Sequence, residues 1–170
     1  FNTSVVKYFA DEYNSGRTPN PCIACNKFIK MGGMMEKALS MGFDYIATGH
    51  YARIIRSETS GRYELHRGLS ESKDQSYVLY NFTQRQLQHT LMPLGEYTKE
   101  QTREMAEKYN LAVAKKPDSQ EICFVSDNDY ATFLEKYTKE KSVPGNFKDS
   151  CGNILGTHKG IRHFTIGQRK

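Results

Sequence analysis

Apolar residues recur at helical spacing from Phe28 to Met41: Phe28, Ile29, Met31, Met34, Met35, Ala38, Leu39 and Met41. That period lines one face of a helix, and Gly42 is its expected stop. The tandem Gly32-Gly33 lies within the pattern and costs roughly 1 kcal/mol per Gly relative to Ala. Residues 43–50, Phe-Asp-Tyr-Ile-Ala-Thr-Gly-His, then read as a short buried strand ending on Gly49. Helix, turn and buried strand in succession point to a parallel α/β sheet. Ligands of such sheets bind beyond the carboxyl ends of the strands. Gly49 fits a close approach of backbone to ligand, and equally a Gly that merely turns the chain.

Residues 51–56 and 62–66 flank Ser57-Glu-Thr-Ser-Gly61 and predict a hairpin. Residues 67–74 are polar and loop-like, and 75–88 predict one or two short helices. Thr98 with Gln101 forms a capping box, so a helix is expected from Thr98 to about Tyr109. Strands are expected at 111–114 and 122–125, with a loop at 115–119. Asp127 is the expected cap of a helix reaching about Tyr137. After Ser142-Val-Pro-Gly145 the texture changes to short strands around turns. A domain boundary is therefore expected between Ser126 and Val143.

Hydrophobic residues at 38% and charged residues at 25% describe a soluble globular chain rather than a disordered one. No apolar run approaches the roughly 18 residues of a membrane span. Phe1-Asn-Thr-Ser lacks the basic and apolar regions of a signal peptide. It also lacks an initiator Met, so a fragment or processed product is expected. Four cysteines in 170 residues do not suggest a disulfide scaffold, and a reducing, cytoplasmic compartment is expected. The net charge of +5 tilts towards a polyanionic partner, though charge alone does not specify one.

The chemistry concentrates on cysteine. Cys22-Ile-Ala-Cys25 follows a turn-rich stretch, Asn14 to Pro21. Two-residue spacing can chelate a metal, lower a thiol pKa or form a redox pair. No second CxxC and no HxxxH completes four zinc ligands. Cys22, Cys25 and Cys123 together would instead suit an iron–sulfur cluster with one open position. Cys123 is an inert small hydrophobe if its strand is buried, and a reactive thiol if it lies at an exposed end near Lys115 and Lys116. Cys151 lies in a turn and reads as incidental. Lys73, Asp74 and Gln75 precede a helix, where they could bond bases or phosphates or simply cap it. The five histidines are scattered and read as structural. Nothing matches a GxxxxGK[ST] or GxGxxG phosphate loop.

Five segments now stand in order: 16–27 (GRTPNPCIACNK), 44–51 (DYIATGHY), 73–77 (KDQSY), 116–124 (KPDSQEICF) and 164–170 (FTIGQRK). Together they span nearly the whole chain, and it resembles the tRNA-specific 2-thiouridylases. The resemblance implies an α/β fold. Residues 1–130 would be the later part of an adenine-nucleotide α-hydrolase-like, PP-loop ATP pyrophosphatase domain. Residues 131–170 would be part of a small, mainly β central domain.

It also implies a reaction. ATP, with Mg as counter-ion, adenylates the C2 oxygen of the wobble uridine of tRNA, and a cysteine persulfide replaces that oxygen with sulfur. Cys25 would be the first catalytic cysteine and Cys123 the persulfide carrier, the pair ending as a transient disulfide. Gly49 would lie against ATP. Asn20, Pro21 and Cys22 would approach the target base, and Lys73, Asp74 and Gln75 would contact tRNA. Many relatives carry Asp where Cys22 stands. Implied partners are tRNA and a persulfide donor, either a cysteine desulfurase or a sulfur-relay protein, with no membrane. The family's SGGxDS pyrophosphate loop and its terminal β-barrel are missing from these residues, so a fragment inactive on its own is expected. The rivals are a metal- or iron–sulfur-binding RNA module using Cys22, Cys25 and Cys123, and an ATP pyrophosphatase without sulfur transfer.

Overall fold

The computed structural model describes residues 1–115, 122–125 and 129–167. The chain forms two compact units, Cys22–Asp118 and Phe1–Pro21 with Ser119–Lys170.

In the first unit the expected helix is present and begins earlier. It runs as α2 (Pro21–Ala24), a π-helical stretch over Cys25–Met34, and α3 (Met35–Ser40). Pro opens it because the first helical position needs no N–H donor. The wide turn has a visible cause at Gly32. A Cβ there would lie 3.0 Å from the Lys27 carbonyl oxygen, so the glycine lets the backbone take the i→i+5 spacing. Gly42 ends the run at φ +87°, as expected. Met31 and Met35 face inward and pack with Ile46, Ala38, Leu39 and Phe82.

The expected strand at 43–50 is shorter, β1 (Ile46–Ala47). It pairs in parallel with β4 (Thr90–Leu91), Ile46 opposite Thr90. The Thr48 N–H donates to the Leu91 carbonyl at 2.9 Å and extends the ladder to the edge of Gly49. The hairpin forms as β2 (Ala52–Arg56) against β3 (Tyr63–Arg67). Ala52, Ile54 and Leu65 share its inner side and meet Val78, Leu79 and Met92. Helix α4 (Gln84–Gln88) and α5 (Lys99–Lys108) each start on a complete capping box, Thr83 with Gln86 and Thr98 with Gln101.

Residues 111–114 are not a strand. Asn110 takes φ +51°, Leu111 donates back to Ala106, and Ala114 donates to Leu111, so the helix end unwinds into turns. An apolar run alone cannot make a strand without a ladder partner.

The second unit begins with a helical run that the apolar pattern did not flag. It is π-helical over Asn2–Lys7 and continues as α1 (Tyr8–Asn14). Phe9, Ala10 and Tyr13 from α1 form its core with Val125 and with Leu134 of α6 (Tyr130–Thr138). The expected strand at 122–125 is a turn closed by Val125 N–H to the Ile122 carbonyl. Asp129 caps α6, its Oδ1 accepting from Thr132 N–H at 3.0 Å. Asp127, the expected cap, lies outside the described residues. The expected short strands follow as β5 (Gly145–Lys148) antiparallel to β6 (Ile154–His158). Arg162 is buried and its guanidinium is held by Thr138 and by the backbone and carboxylate of Glu140. Among the described residues no helix is long and apolar enough to cross a membrane.

Candidate active site

Cys22 and Cys25 sit on consecutive helical turns of one element, Cys22 exposed and Cys25 half-buried. Their orientation is fixed by Asn26, which is 2% exposed. Its Nδ2 donates to the Val78 carbonyl at 3.3 Å, fifty-two residues away. Its Oδ1 is buried and meets no partner among the described residues, a costly arrangement for an amide. With Asn26 pointing inward, its neighbour Cys25 is held to the flank of the helix. Gln86 reinforces this by donating to the Met31 carbonyl at 2.6 Å. Asn20 is half-buried, and Pro21 is buried as the first residue of α2.

Gly49 follows the carboxyl end of β1, where a parallel sheet presents ligands. It is exposed, and a Cβ there would only touch Leu94 Cδ1 at 3.6 Å, an ordinary contact. The protein interior does not demand glycine at this position, so the space it leaves open faces outward.

His50 follows, 8% exposed, its Nδ1 2.8 Å from Thr48 Oγ1. Burial, with the nearby Lys30 charge, pushes its pKa down to about 4. It is therefore a neutral imidazole at physiological pH, able to donate or accept without carrying charge. Its scattered position in the sequence gave no sign of this. The burial of Asn26 and His50 is a tertiary property, and only the flanking apolar positions hinted at it.

Lys73, Asp74 and Gln75 lie where a 3-10 turn (Glu71–Lys73) meets a second one (Ser76–Val78). Asp74 accepts from Gly68 N–H, Ser76 N–H and the Ser76 hydroxyl. Burial alone would raise its carboxyl pKa, but these hydrogen bonds and the Arg67 charge hold it below the usual value. Gln75 is bonded to Tyr51 twice: its side-chain oxygen accepts from Tyr51 N–H at 3.1 Å, and its N–H donates to the Tyr51 carbonyl at 2.9 Å. Asp74 and Gln75 thus brace the loop against the start of β2, directly beside His50. Both expectations for this segment, helix cap and contact surface, remain compatible with that geometry.

Cys123 belongs to the other unit. Ile122, Phe124 and Val125 turn inward, with Phe124 5.4 Å from both Phe9 and Phe133. The turn leaves Cys123 exposed between them. The buried, inert alternative for this cysteine is thereby excluded. The flanking segment 116–121, with most of the fourth motif, lies outside the described residues, as does 168–170. Among the described residues no group of three His, Cys, Asp or Glu side chains could hold a metal ion.

The chain belongs to the family described as tRNA methyl transferase HUP domain, which matches residues 1–127, and residues 131–170 match the tRNA methyl transferase PRC-barrel domain. It is 59% identical over all 170 residues to the tRNA-specific 2-thiouridylase MnmA of Acetivibrio thermocellus, covering 47% of that protein. The same protein of Lachnoclostridium phytofermentans is 59% identical, and that of Clostridioides difficile 56%, each again matched along the whole chain and over 47% of the relative. The chain thus spans about half the length of the curated relatives it matches. The α/β expectation, with a parallel sheet and a small β domain, is borne out.

Proposed function

We propose that this chain carries the thiol machinery of a tRNA-uridine 2-sulfurtransferase. The observation that carries the reading is the pair of presented cysteines, Cys25 on a helix braced by Asn26 and Cys123 on a turn braced by Phe124, in a chain 59% identical to a tRNA-specific 2-thiouridylase.

ATP, with magnesium as counter-ion, adenylates the uridine C2 oxygen and turns a poor leaving group into AMP. The terminal sulfur of a Cys123 persulfide attacks C2, and AMP departs with the oxygen. The Cys25 thiolate then attacks the inner Cys123 sulfur. This breaks the S–S bond to the new thiocarbonyl sulfur and leaves a Cys25–Cys123 disulfide, which a dithiol reductant must reopen. The step requires the two thiols to reach each other during turnover. Gly49 gives ATP a close backbone approach, and His50 follows it with its imidazole bonded to Thr48. Asn20, Pro21 and Cys22 lie next to Cys25 in sequence and face the target base in this reading. Lys73, Asp74 and Gln75 meet tRNA. Residues 1–130 and 131–170 act as catalytic and central domains of one enzyme. The sulfur arrives from a cysteine desulfurase or a sulfur-relay protein.

The deciding experiment is anaerobic incubation with a cysteine desulfurase and cysteine, followed by alkylation and mass spectrometry. One extra sulfur on Cys123, unchanged in Cys25→Ser and absent in Cys123→Ser, is expected. An unmodified Cys123 together with stoichiometric iron lost in Cys22→Ser would overturn the relay in favour of a cluster.

A further inference from the structure

We infer that Tyr77 and Tyr80 form a stacking platform for unpaired bases of an RNA loop, next to the Cys22–Cys25 helix. The inference deepens the proposed tRNA reading and rests on it.

Tyr77 is 62% exposed and Tyr80 70% exposed, while Val78 and Leu79 between them are buried. The segment is a run of i→i+3 turns, with Val78 N–H to Gln75, Leu79 to Ser76 and Phe82 to Leu79. The 3-10 turn covers Ser76–Val78 and the chain turns again at Leu79–Phe82, so Val78 and Leu79 anchor the middle of the segment in the core. The two rings are therefore presented outward by a turn anchored through its central residues. That turn is also stiff, because Asp74 and Gln75 tie its start to Gly68, Ser76 and Tyr51. A large aromatic ring left in water on a rigid, internally bonded turn does nothing for the core. It loses little further entropy when a flat partner covers it.

The charge around the platform selects the partner. No Asp or Glu occurs from Cys22 to Met35, nor from Gln75 to Gly95. These two carboxylate-free segments touch through the Asn26–Val78 bond and the Gln86–Met31 bond. Lys27 and Lys30 lie on the first, Lys27 over the half-exposed ring of Phe28, and Lys73 stands two residues before the second. Asp74, just before the second segment, has its oxygens occupied by Gly68 and Ser76, and Glu36, just after the first, is paired with Arg85 of the second. Exposed aromatic rings and lysines on touching segments, whose adjoining carboxylates are already bonded, fit unstacked bases and their phosphates.

The test uses an RNA stem–loop with a loop uridine and 2-aminopurine at the following position. Binding by the wild-type chain is expected to quench the 2-aminopurine fluorescence through stacking. Tyr77→Ala and Tyr80→Ala should each weaken binding roughly fivefold or more and relieve the quench, whereas Tyr77→Phe should behave as wild type. Unchanged thermal melting of the Ala variants separates this from loss of fold. If the wild-type chain binds the RNA and the Ala variants bind and quench equally, the platform is overturned while the tRNA reading stands. If the wild-type chain binds no RNA, the tRNA reading itself falls, and the platform with it. If the Ala variants keep RNA affinity but lose desulfurase-dependent sulfur on Cys123, the surface is a protein interface and the inference is overturned.

Discussion

At the scale of single residues, His50 combines burial with a position just beyond the carboxyl end of β1. Its pKa falls from 6.5 to about 4 in the folded chain. Below 6.5 the unfolded chain binds a proton that the folded chain refuses, so folding loses free energy as pH drops towards 4. The contribution is fully present above 6.5 and declines through that window. Urea midpoints compared between pH 7 and pH 5 should therefore fall more for wild type than for His50→Asn, which has no proton to take up. Equal declines would show that His50 is solvated. Asn26 makes the complementary point. Its side chain could be read as polar from the sequence, yet its role depends on a carbonyl at Val78 that no local pattern announces.

Two glycines of unlike kind show what matters at the scale of elements. A Cβ on Gly95 would lie 1.9 Å from the Ala52 carbonyl oxygen, so β2 and the turn that follows β4 meet backbone to backbone there. Gly95→Ala should cost about 1–3 kcal/mol, as other forced expansions of packed sites do. Gly49→Ala meets only Leu94 at 3.6 Å and should change stability by less than about 0.5 kcal/mol. Its cost should fall instead on nucleotide affinity, if ATP lies against that backbone. Denaturation curves and ATP titration of both variants would check the contrast, and a stable Gly49→Ala with unaltered ATP affinity would remove Gly49 from the site.

The legible elements share this local character. The two capping boxes, the β2–β3 hairpin and the Gly42 stop are written within a few residues, and the local sequence predicts the Thr98 box, the hairpin and the stop. The apolar runs at 111–114 and 122–125 carried the same composition as strands. What they lacked was a neighbouring strand, which is set by the tertiary fold. The turn at 122–125 is instead shaped by Phe124 packing on Phe9 and Phe133. Cys22, Cys25 and Cys123 were identifiable by residue type. Their exposure follows from how Asn26 and Phe124 pack beside them, which no local pattern announces.

At the scale of the whole molecule, the charge of +5 matters only through its placement. Several arginines are committed within the fold. Arg17 is bonded to Glu12, Arg85 to Glu36, and Arg162 to Glu140. Lys27 and Lys30 lie instead on a stretch with no acid. If each meets one phosphate of an RNA loop, replacing either with Gln should reduce the slope of log K against log salt by about 0.7, the single-strand value per phosphate. Binding should weaken evenly across loop sequences, because phosphates carry no sequence information. The Tyr77 and Tyr80 variants should do the reverse and lose affinity at every salt concentration with the slope unchanged, since stacking releases no counterions. Titrations at several salt concentrations would separate the two contributions. An unchanged slope for both lysine variants would mean that the phosphate track runs elsewhere on the chain, and that the lack of Asp and Glu from Cys22 to Met35 serves the chemistry of the thiols rather than the docking of RNA.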